Sequence, residues 1–316
     1  MAQPTVSTVH VDKALTNISV AYVQSADAFI ANKVFPTIPV ANKSDKYFTY
    51  TKNDWFRDEA QQRAPSTESV GSGYNLSTAS YSCDVYALHK DLDDQTMANA
   101  DAALNLEREA ALFVAQRMML KHEIEWTSTF FTTSVWGTDS TPTNLWSDYT
   151  MSSPLTDIET AKRTVLANTG FKPNTAVMGY DVWIQLINHP DLIERIKYTS
   201  SEPINTGVIA RYFGLDRIFV AEAVKATNVE GATGAYSFVQ GKHCLVCYVP
   251  PSPGLLTPSA GYTFAWNGVS DGAGDTIGTT RFYIPEIRSW RVESQMAWDS
   301  KVVATDLGYF LNSVVS

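Results

Sequence analysis

The chain has 316 residues, 44% hydrophobic and 12% aromatic, with 24 basic against 33 acidic side chains and a net charge of −9. This composition supports a sizeable core in two compact lobes with appendages; with no basic run it argues against a surface built to grip nucleic acid tightly, while leaving room for a mildly acidic wall around one. No apolar run approaches the ~20 residues of a membrane span, the start Met1-Ala2-Gln3-Pro4-Thr5 lacks signal-peptide regions, and Cys83, Cys244 and Cys247 form no even disulfide framework, which fits a reducing cytoplasm.

Residues 1–45 mix Thr, Ser, Asn and Val with short apolar clusters such as Ala28-Phe29-Ile30 and Val34-Phe35-Pro36. Prolines at 36 and 39 favour extended backbone before them. The segment reads as an N-terminal arm laid over a surface.

Residues 46–92 read as an extended β-hairpin. Lys46 to Thr51 and Tyr81 to Ala87 carry the aromatic, β-branched and alternating residues of strands. The tip from Arg57 through Pro65 to Gly73 is too long for a tight turn. An isolated hairpin is marginally stable in water, and strands of roughly a dozen residues would reach about 40 Å. Such an arm is expected to lie on something else.

Residues 104–131 read as one long helix, with apolar residues at 106, 110, 113, 114, 118 and 124 and Asp101 as the candidate N-cap. From Asp157 the pattern alternates between helix and strand. A helix from Asp157 to Asn168 stops at Gly170, and a strand runs from Thr175 to Gly179. A helix capped by Asp181 breaks at His189-Pro190, and a short helix spans Val208 to Gly214. Ile218 to Val224 reads as a strand, and Tyr236 to Val239 with Cys244 to Val249 as a hairpin joined through Gly241-Lys242. A further strand is expected from Tyr262 to Trp266, and three more between Arg281 and Val315.

No catalytic motif has both its spacing and its context. Gly268-Val269-Ser270-Asp271-Gly272 matches the text of a nucleophile elbow, but a loop follows where a helix is required. Cys244 and Cys247 have C-x-x-C spacing, yet on a strand three residues apart they face opposite sides, as buried cysteines do rather than metal ligands. His122-Glu123 begins like a zincin helix, but position 126 is Trp126; helix surface or helix end is the expected setting. Asp91, Asp93 and Asp94 lack the further ligands of a calcium loop and suit capping of a helix N-terminus. No catalytic, cofactor-binding or metal-ligating residues are therefore expected.

The order of elements resembles that of tailed-bacteriophage major capsid proteins. Similar stretches are Leu104-Asn-Leu-Glu-Arg-Glu-Ala-Ala-Leu-Phe-Val-Ala, Asn174-Thr-Ala-Val-Met-Gly-Tyr-Asp-Val-Trp followed by Asn188-His-Pro-Asp-Leu-Ile-Glu-Arg-Ile-Lys-Tyr, and Val208-Ile-Ala-Arg-Tyr-Phe-Gly-Leu-Asp. The likeness spans roughly residues 25 to 316. It implies an α+β, Hong Kong 97-like capsid fold: arm 1–45, extended loop 46–92, peripheral domain 93–150 with its spine helix, axial domain 151–277, and C-terminal strands 278–316 completing the peripheral domain.

The resemblance further implies a shell subunit that assembles with itself as hexamers and pentamers into an icosahedral head around double-stranded DNA. Candidate intersubunit anchors are Tyr47, Tyr50, Trp55, Phe56 and Tyr81. Arg57, Asp58, Glu59, Arg63 and Glu68 supply charged pairs that fix register more than affinity. Some relatives carry a scaffolding segment ahead of the arm; no room is expected for one before residue 25, so a separate scaffolding protein is the implied partner, with a portal protein and an optional decoration protein. Others crosslink through a lysine, an asparagine and a glutamate. Lys46 and Lys52 lie in the hairpin, but no partner pair matches, and no such bond is expected. The rival readings are an encapsulin-type nanocompartment shell, which would need an inner groove for a cargo peptide, and a soluble enzyme using the α/β lobe.

Overall fold

The computed structural model describes residues 23–100, 105–199, 205–254, 257–269 and 277–316. In chain order come α1 (Ala31–Val34), β1 (Thr37–Val40), β2 (Ser44–Tyr50), α2 (Lys52–Trp55), β3 (Leu76–Ser82), β4 (Asp84–Asp93), α3 (Asp94–Ala98) and the long α4 (Leu106–Phe130). Then follow β5 (Thr138–Ser140), α5 (Pro154–Thr169), β6 (Thr175–Gly179), α6 (Tyr180–Ile187), α7 (Pro190–Thr199), α8 (Thr206–Phe213), β7 (Arg217–Ala221), β8 (Val224–Ala226) and β9 (Tyr236–Phe238). The last strands are β10 (Cys244–Cys247), β11 (Gly261–Trp266), β12 (Ile277–Ile284), β13 (Ser289–Val302) and β14 (Gly308–Leu311).

Helix α4 is the spine. Its 25 residues span about 38 Å, and the Asn105 side chain caps it by accepting the Arg108 N–H at 3.0 Å. The expected cap, Asp101, lies outside the described residues. Every fourth residue from Ala110 through Val114, Met118, His122 and Trp126 to Phe130 is buried, so one narrow line of the helix faces inward. Met118 packs there on Met296 and Trp298 of β13, beside Tyr86 and Leu88 of β4.

The first sheet runs β1-β11-β13-β12, with β4 also paired to β13. β13 is its axis: Ser289 to Trp298 pair with Asp93 to Asp84, and Trp298 to Val302 with Ala265 to Gly261. The second sheet runs β5-β14-β10-β6-β7, with β6 and β10 buried at every position. Helix α5 starts at Pro154 and ends where Gly170 takes φ 74°, a conformation that costs glycine nothing. At the β6–α6 turn Gly179 lies so close to the Gly241 carbonyl that a Cβ would overlap it.

The segment expected as a surface arm is partly core. Ile30, Ala31, Val34 and Phe35 are buried, and the Phe35 ring meets Trp126, Phe130 and Trp136 at centroid distances of 5.5, 5.0 and 6.2 Å. β1 continues as a parallel partner of β11. A cluster of aromatic rings closed around one phenylalanine buries more apolar surface than an exposed arm can. Residues 1–22 of the expected arm lie outside the described residues.

Two strand pairings differ from expectation. Tyr236–Phe238 pairs with β8, whereas Cys244–Cys247 lies between β6 and β14, because a four-residue strand buried throughout needs a neighbour on each side. The hairpin pairs only Ser44–Tyr50 with Leu76–Ser82. At Cys83 the chain leaves it, and the segment expected as its second half becomes β4 of the first sheet, where Tyr86, Leu88 and Leu92 face α4. Three C-terminal strands form as expected, but β14 joins the second sheet.

Candidate functional site

Among the described residues the β2–β3 hairpin pairs as a sheet only with itself, from Ser44↔Ser82 at its base to Tyr50↔Leu76 at its far end, and the Ser82 N–H at the base donates to Asp299 of β13 at 2.9 Å. Its seven-residue strands reach about 23 Å, not the 40 Å expected from longer ones. The base is tied to the body: Tyr81 stacks on Phe264 at 4.5 Å, and Tyr47 lies 5.3 Å from the same ring. Both tyrosines, expected among the intersubunit anchors, pack on Phe264 of their own chain, Tyr81 buried and Tyr47 half-buried.

Farther out the hairpin carries apolar surface that no other described residue covers. Tyr50, Trp55 and Tyr74 form a triangle with centroid separations of 6.1, 6.0 and 5.9 Å. They are 40, 57 and 63% exposed, and Phe48 beside them is 62% exposed. The triangle is held in place because Asp54 of α2 accepts the Asn75 N–H at 2.8 Å and its side-chain amide at 3.1 Å. Tyr74 and Phe48 were not singled out in the sequence, although Phe48 alternates with Tyr47 and Thr49 as a strand residue does.

The far end also bends back to its own chain. Lys52 forms an ion pair with Asp306, and the exposed Phe56 ring points to Gly170 at the end of α5. Beyond it residues 56–75 form no helix or strand. Arg57 approaches Glu59 at 3.6 Å, Ser72 donates to Glu59, and Arg63 donates to the Thr67 carbonyl. Asp58 and Glu68 are exposed on the same stretch. The charged tip thus pairs locally instead of presenting every charge outward.

The other sequence motifs resolve into structural roles. Cys83, Cys244 and Cys247 are buried thiols; burial pushes Cys83 up to about 11 and Cys247 to about 12. Asp93 caps α3, accepting from Gln95 and Thr96 at 2.9 and 3.2 Å. Asp91 instead takes a two-pronged hydrogen bond from Arg291 at 2.7 and 2.8 Å, which lowers its pKa, and Asp94 accepts from Tyr283. Among the described residues no three His, Cys, Asp or Glu side chains converge as metal ligands. Ser270 to Gly272 of the elbow-like text lie outside the described residues.

His122 corrects an expectation. It is not at the helix surface but 4% exposed, edge-on to Trp298 at 5.0 Å, with its Nε2 unpartnered; burial alone holds its pKa down to about 4. Next to it Glu123 is fully buried and accepts from the backbone of Ile30 and Ala31 at 3.0 and 2.9 Å and from the Gln240 side chain. Desolvation raises its pKa against those hydrogen bonds. The one sequence signal for this cluster was the every-fourth-residue line, which runs through position 122.

Shallow surface depressions lie among the described residues. One, of about 200 Å³, lies between β4 and the start of α4, and another, of about 360 Å³, between α6 and the chain end. Ser289 and Asp91 in the first are already committed, to the Ile287 carbonyl and to Arg291. No helix among the described residues is long and apolar enough to cross a membrane.

Comparison with known proteins bears on the whole chain. Residues 137–232 match the family model of phage major capsid protein E. The major capsid protein of Burkholderia phage BcepMu is 24% identical over 292 residues, covering 87% of this chain and 92% of that protein. Among solved structures, a phage-related protein from Bordetella bronchiseptica superposes with a TM-score of 0.70 at 23% identity, covering 92% of this chain and 94% of that one. The capsid protein of cyanophage P-SCSP1u superposes with a TM-score of 0.60 at 12% identity, covering 98% and 94%. Family signature over residues 137–232, curated relative and fold agree with the resemblance carried by the sequence: the chain has the Hong Kong 97-like capsid fold and is similar along most of its length to phage major capsid proteins.

Proposed function

We propose that this chain builds an icosahedral phage head by ordered self-association as hexamers and pentamers, enclosing double-stranded DNA. The observation that carries the reading is the hairpin: a sheet of two strands among the described residues, bearing Phe48, Tyr50, Trp55 and Tyr74 exposed together. Two strands in water are marginal, and clustered exposed aromatics mark an interaction surface. A neighbouring copy is the natural cover, because a contact from one patch to a different patch on the next subunit closes into rings.

In this reading Tyr50, Trp55 and Phe56 remain anchors, joined by Phe48 and Tyr74. Arg57, Asp58, Glu59, Arg63 and Glu68 set register. The β2–β3 hairpin acts as the extended loop, the first sheet with α4 as the peripheral domain and the second sheet with its flanking helices as the axial domain. A separate scaffolding protein guides assembly, and portal and decoration proteins complete the head. The net charge of −9 suits a container whose wall does not hold its DNA fast.

Deleting Arg57 to Gly73 tests the role of the hairpin. The body keeps its fold, since every residue removed is exposed or half-exposed, while closed shells fail to form. Normal particles from the deletion would overturn the assignment.

A further inference from the structure

We infer that one flank of α4 is a contact stripe for the phosphodiester backbone of enclosed nucleic acid, an inference that rests on the proposed head function and adds which surface meets the DNA. Phe113, Arg117 and Lys121 recur four residues apart and all are exposed, so they stand in a row about 6 Å apart along the helix. The Phe113 ring is flanked by two cations, the Arg117 guanidinium at 4.6 Å and the Lys90 ammonium of β4 at 5.5 Å. One turn on, Lys121 lies 5.3 Å from the Tyr86 ring. Three cations and two aromatic rings thus alternate along the seam between α4 and β4.

The chain as a whole is acidic, so this row runs against its composition. Carboxylates border it, with Asp84 and Asp299 close to Tyr86. Glu125, one turn beyond Lys121, accepts from Tyr86 at 3.0 Å and approaches Lys121 at 3.6 Å, and Glu109 stands one turn before Phe113. Between them the stripe is cationic. Phosphates on one strand recur about every 3.4 Å of duplex axis, so cations about 6 Å apart address roughly alternate phosphates. Aromatic rings among such cations add sequence-tolerant contact, and nothing in the row is arranged to read a base edge. The stripe is therefore weak and non-specific, as a container wall requires.

The test uses the unassembled full chain and its K90Q/R117Q/K121Q variant, with a fluorescent DNA duplex of mixed sequence titrated at several salt concentrations, and poly-L-glutamate as a competitor of matched charge. The log-log salt slope of the variant is expected to be shallower by about 1 for each cation neutralised, roughly 3 for the triple variant, with affinity falling uniformly across sequences. Equal slopes for the two proteins would overturn the inference, as would poly-L-glutamate competing as well as unlabelled DNA, which would point to an acidic protein instead. Shell formation by both proteins is followed by microscopy. Shells with unchanged salt slopes would sink the stripe alone, whereas no shells from either protein would sink the function on which it rests.

Discussion

The Glu123 carboxylate, midway along α4, accepts the backbone N–H of Ala31 at 2.9 Å. With Ile30 and Gln240 as further donors, this one side chain ties three stretches of chain far apart in sequence. They are the N-terminal segment, the spine helix and the loop after β9. Removing an acceptor from buried donors costs more than the hydrogen bonds themselves contribute. Glu123→Ala is expected to destabilise the chain by about 3 kcal/mol, and Glu123→Gln, which keeps one acceptor oxygen, by less. Urea denaturation midpoints of the two variants check the order.

Acid acts on the same turn of α4 through His122. Its unfolded-state pKa is near 6.5 and its folded-state value about 4, so between them the unfolded chain binds a proton that the folded chain refuses. Stability contributed by neutral His122 is full above pH 6.5 and is lost as the pH falls towards 4, by on the order of 2–3 kcal/mol. Glu123 has the opposite sign: its raised pKa stabilises the folded chain below about 4.5 and the effect fades as the pH rises. His122→Phe keeps a ring edge-on to Trp298 and removes the titration. Its stability should be flatter than the wild type's across the His122 window; an unchanged acid limb would assign that limb elsewhere.

Phe35 tests whether the N-terminal segment is core. Its ring is 0% exposed among Trp126, Phe130 and Trp136, and truncating a buried phenylalanine leaves a cavity that the surrounding rings cannot fill. Phe35→Ala should cost about 3–5 kcal/mol in chemical denaturation. A loss under about 0.5 kcal/mol, typical of surface positions, would return the segment to the surface.

Trp55 separates assembly from folding. At 57% exposure it contributes little to the subunit, so Trp55→Ala should leave the subunit's stability to denaturant within about 0.5 kcal/mol of wild type. Capsomer and shell formation should nevertheless weaken by at least about 2 kcal/mol per interface, as truncation of buried interface aromatics does. Light scattering against protein concentration measures the shift.

Gly179 tests the turn between β6 and α6. Its missing Cβ is where the Gly241 carbonyl sits, a backbone atom that cannot rotate away. Gly179→Ala should therefore destabilise by more than about 2 kcal/mol. Gly71→Ala, with open space at the hairpin tip, should be neutral when both variants are compared by urea denaturation.

Much of this architecture is legible in the chain because local signals and burial agree. Thr175–Gly179 is an uninterrupted buried strand, Gly170 stops α5 by its left-handed turn, and α4 repeats its inward residues every four positions. What escapes are choices made between distant segments. Nothing near Cys244 says that its neighbours will be β6 and β14 and not the adjacent Tyr236–Phe238, and nothing near Phe35 says that three aromatics from α4 and the segment after it will close over it. At the hairpin, alternation marks Tyr47, Tyr50 and Tyr81 alike. Only the position of Phe264 decides that Tyr47 and Tyr81 pack on their own chain while Tyr50 joins Trp55 and Tyr74 outside. Glu123 escapes for a related reason: a charged residue on a helix is ordinarily a solvated one, and its donors lie about ninety residues before it and over a hundred after it.

The central claim is that this subunit closes shells through its hairpin. The first measurement is negative-stain electron microscopy of the chain expressed with a candidate scaffolding protein, beside the same preparation lacking residues 57–73. Closed icosahedral particles are expected from the undeleted chain, and folded subunits without particles from the deletion. Particles of normal size and number from the deletion, or an undeleted chain that stays monomeric with the candidate scaffold present, would contradict it.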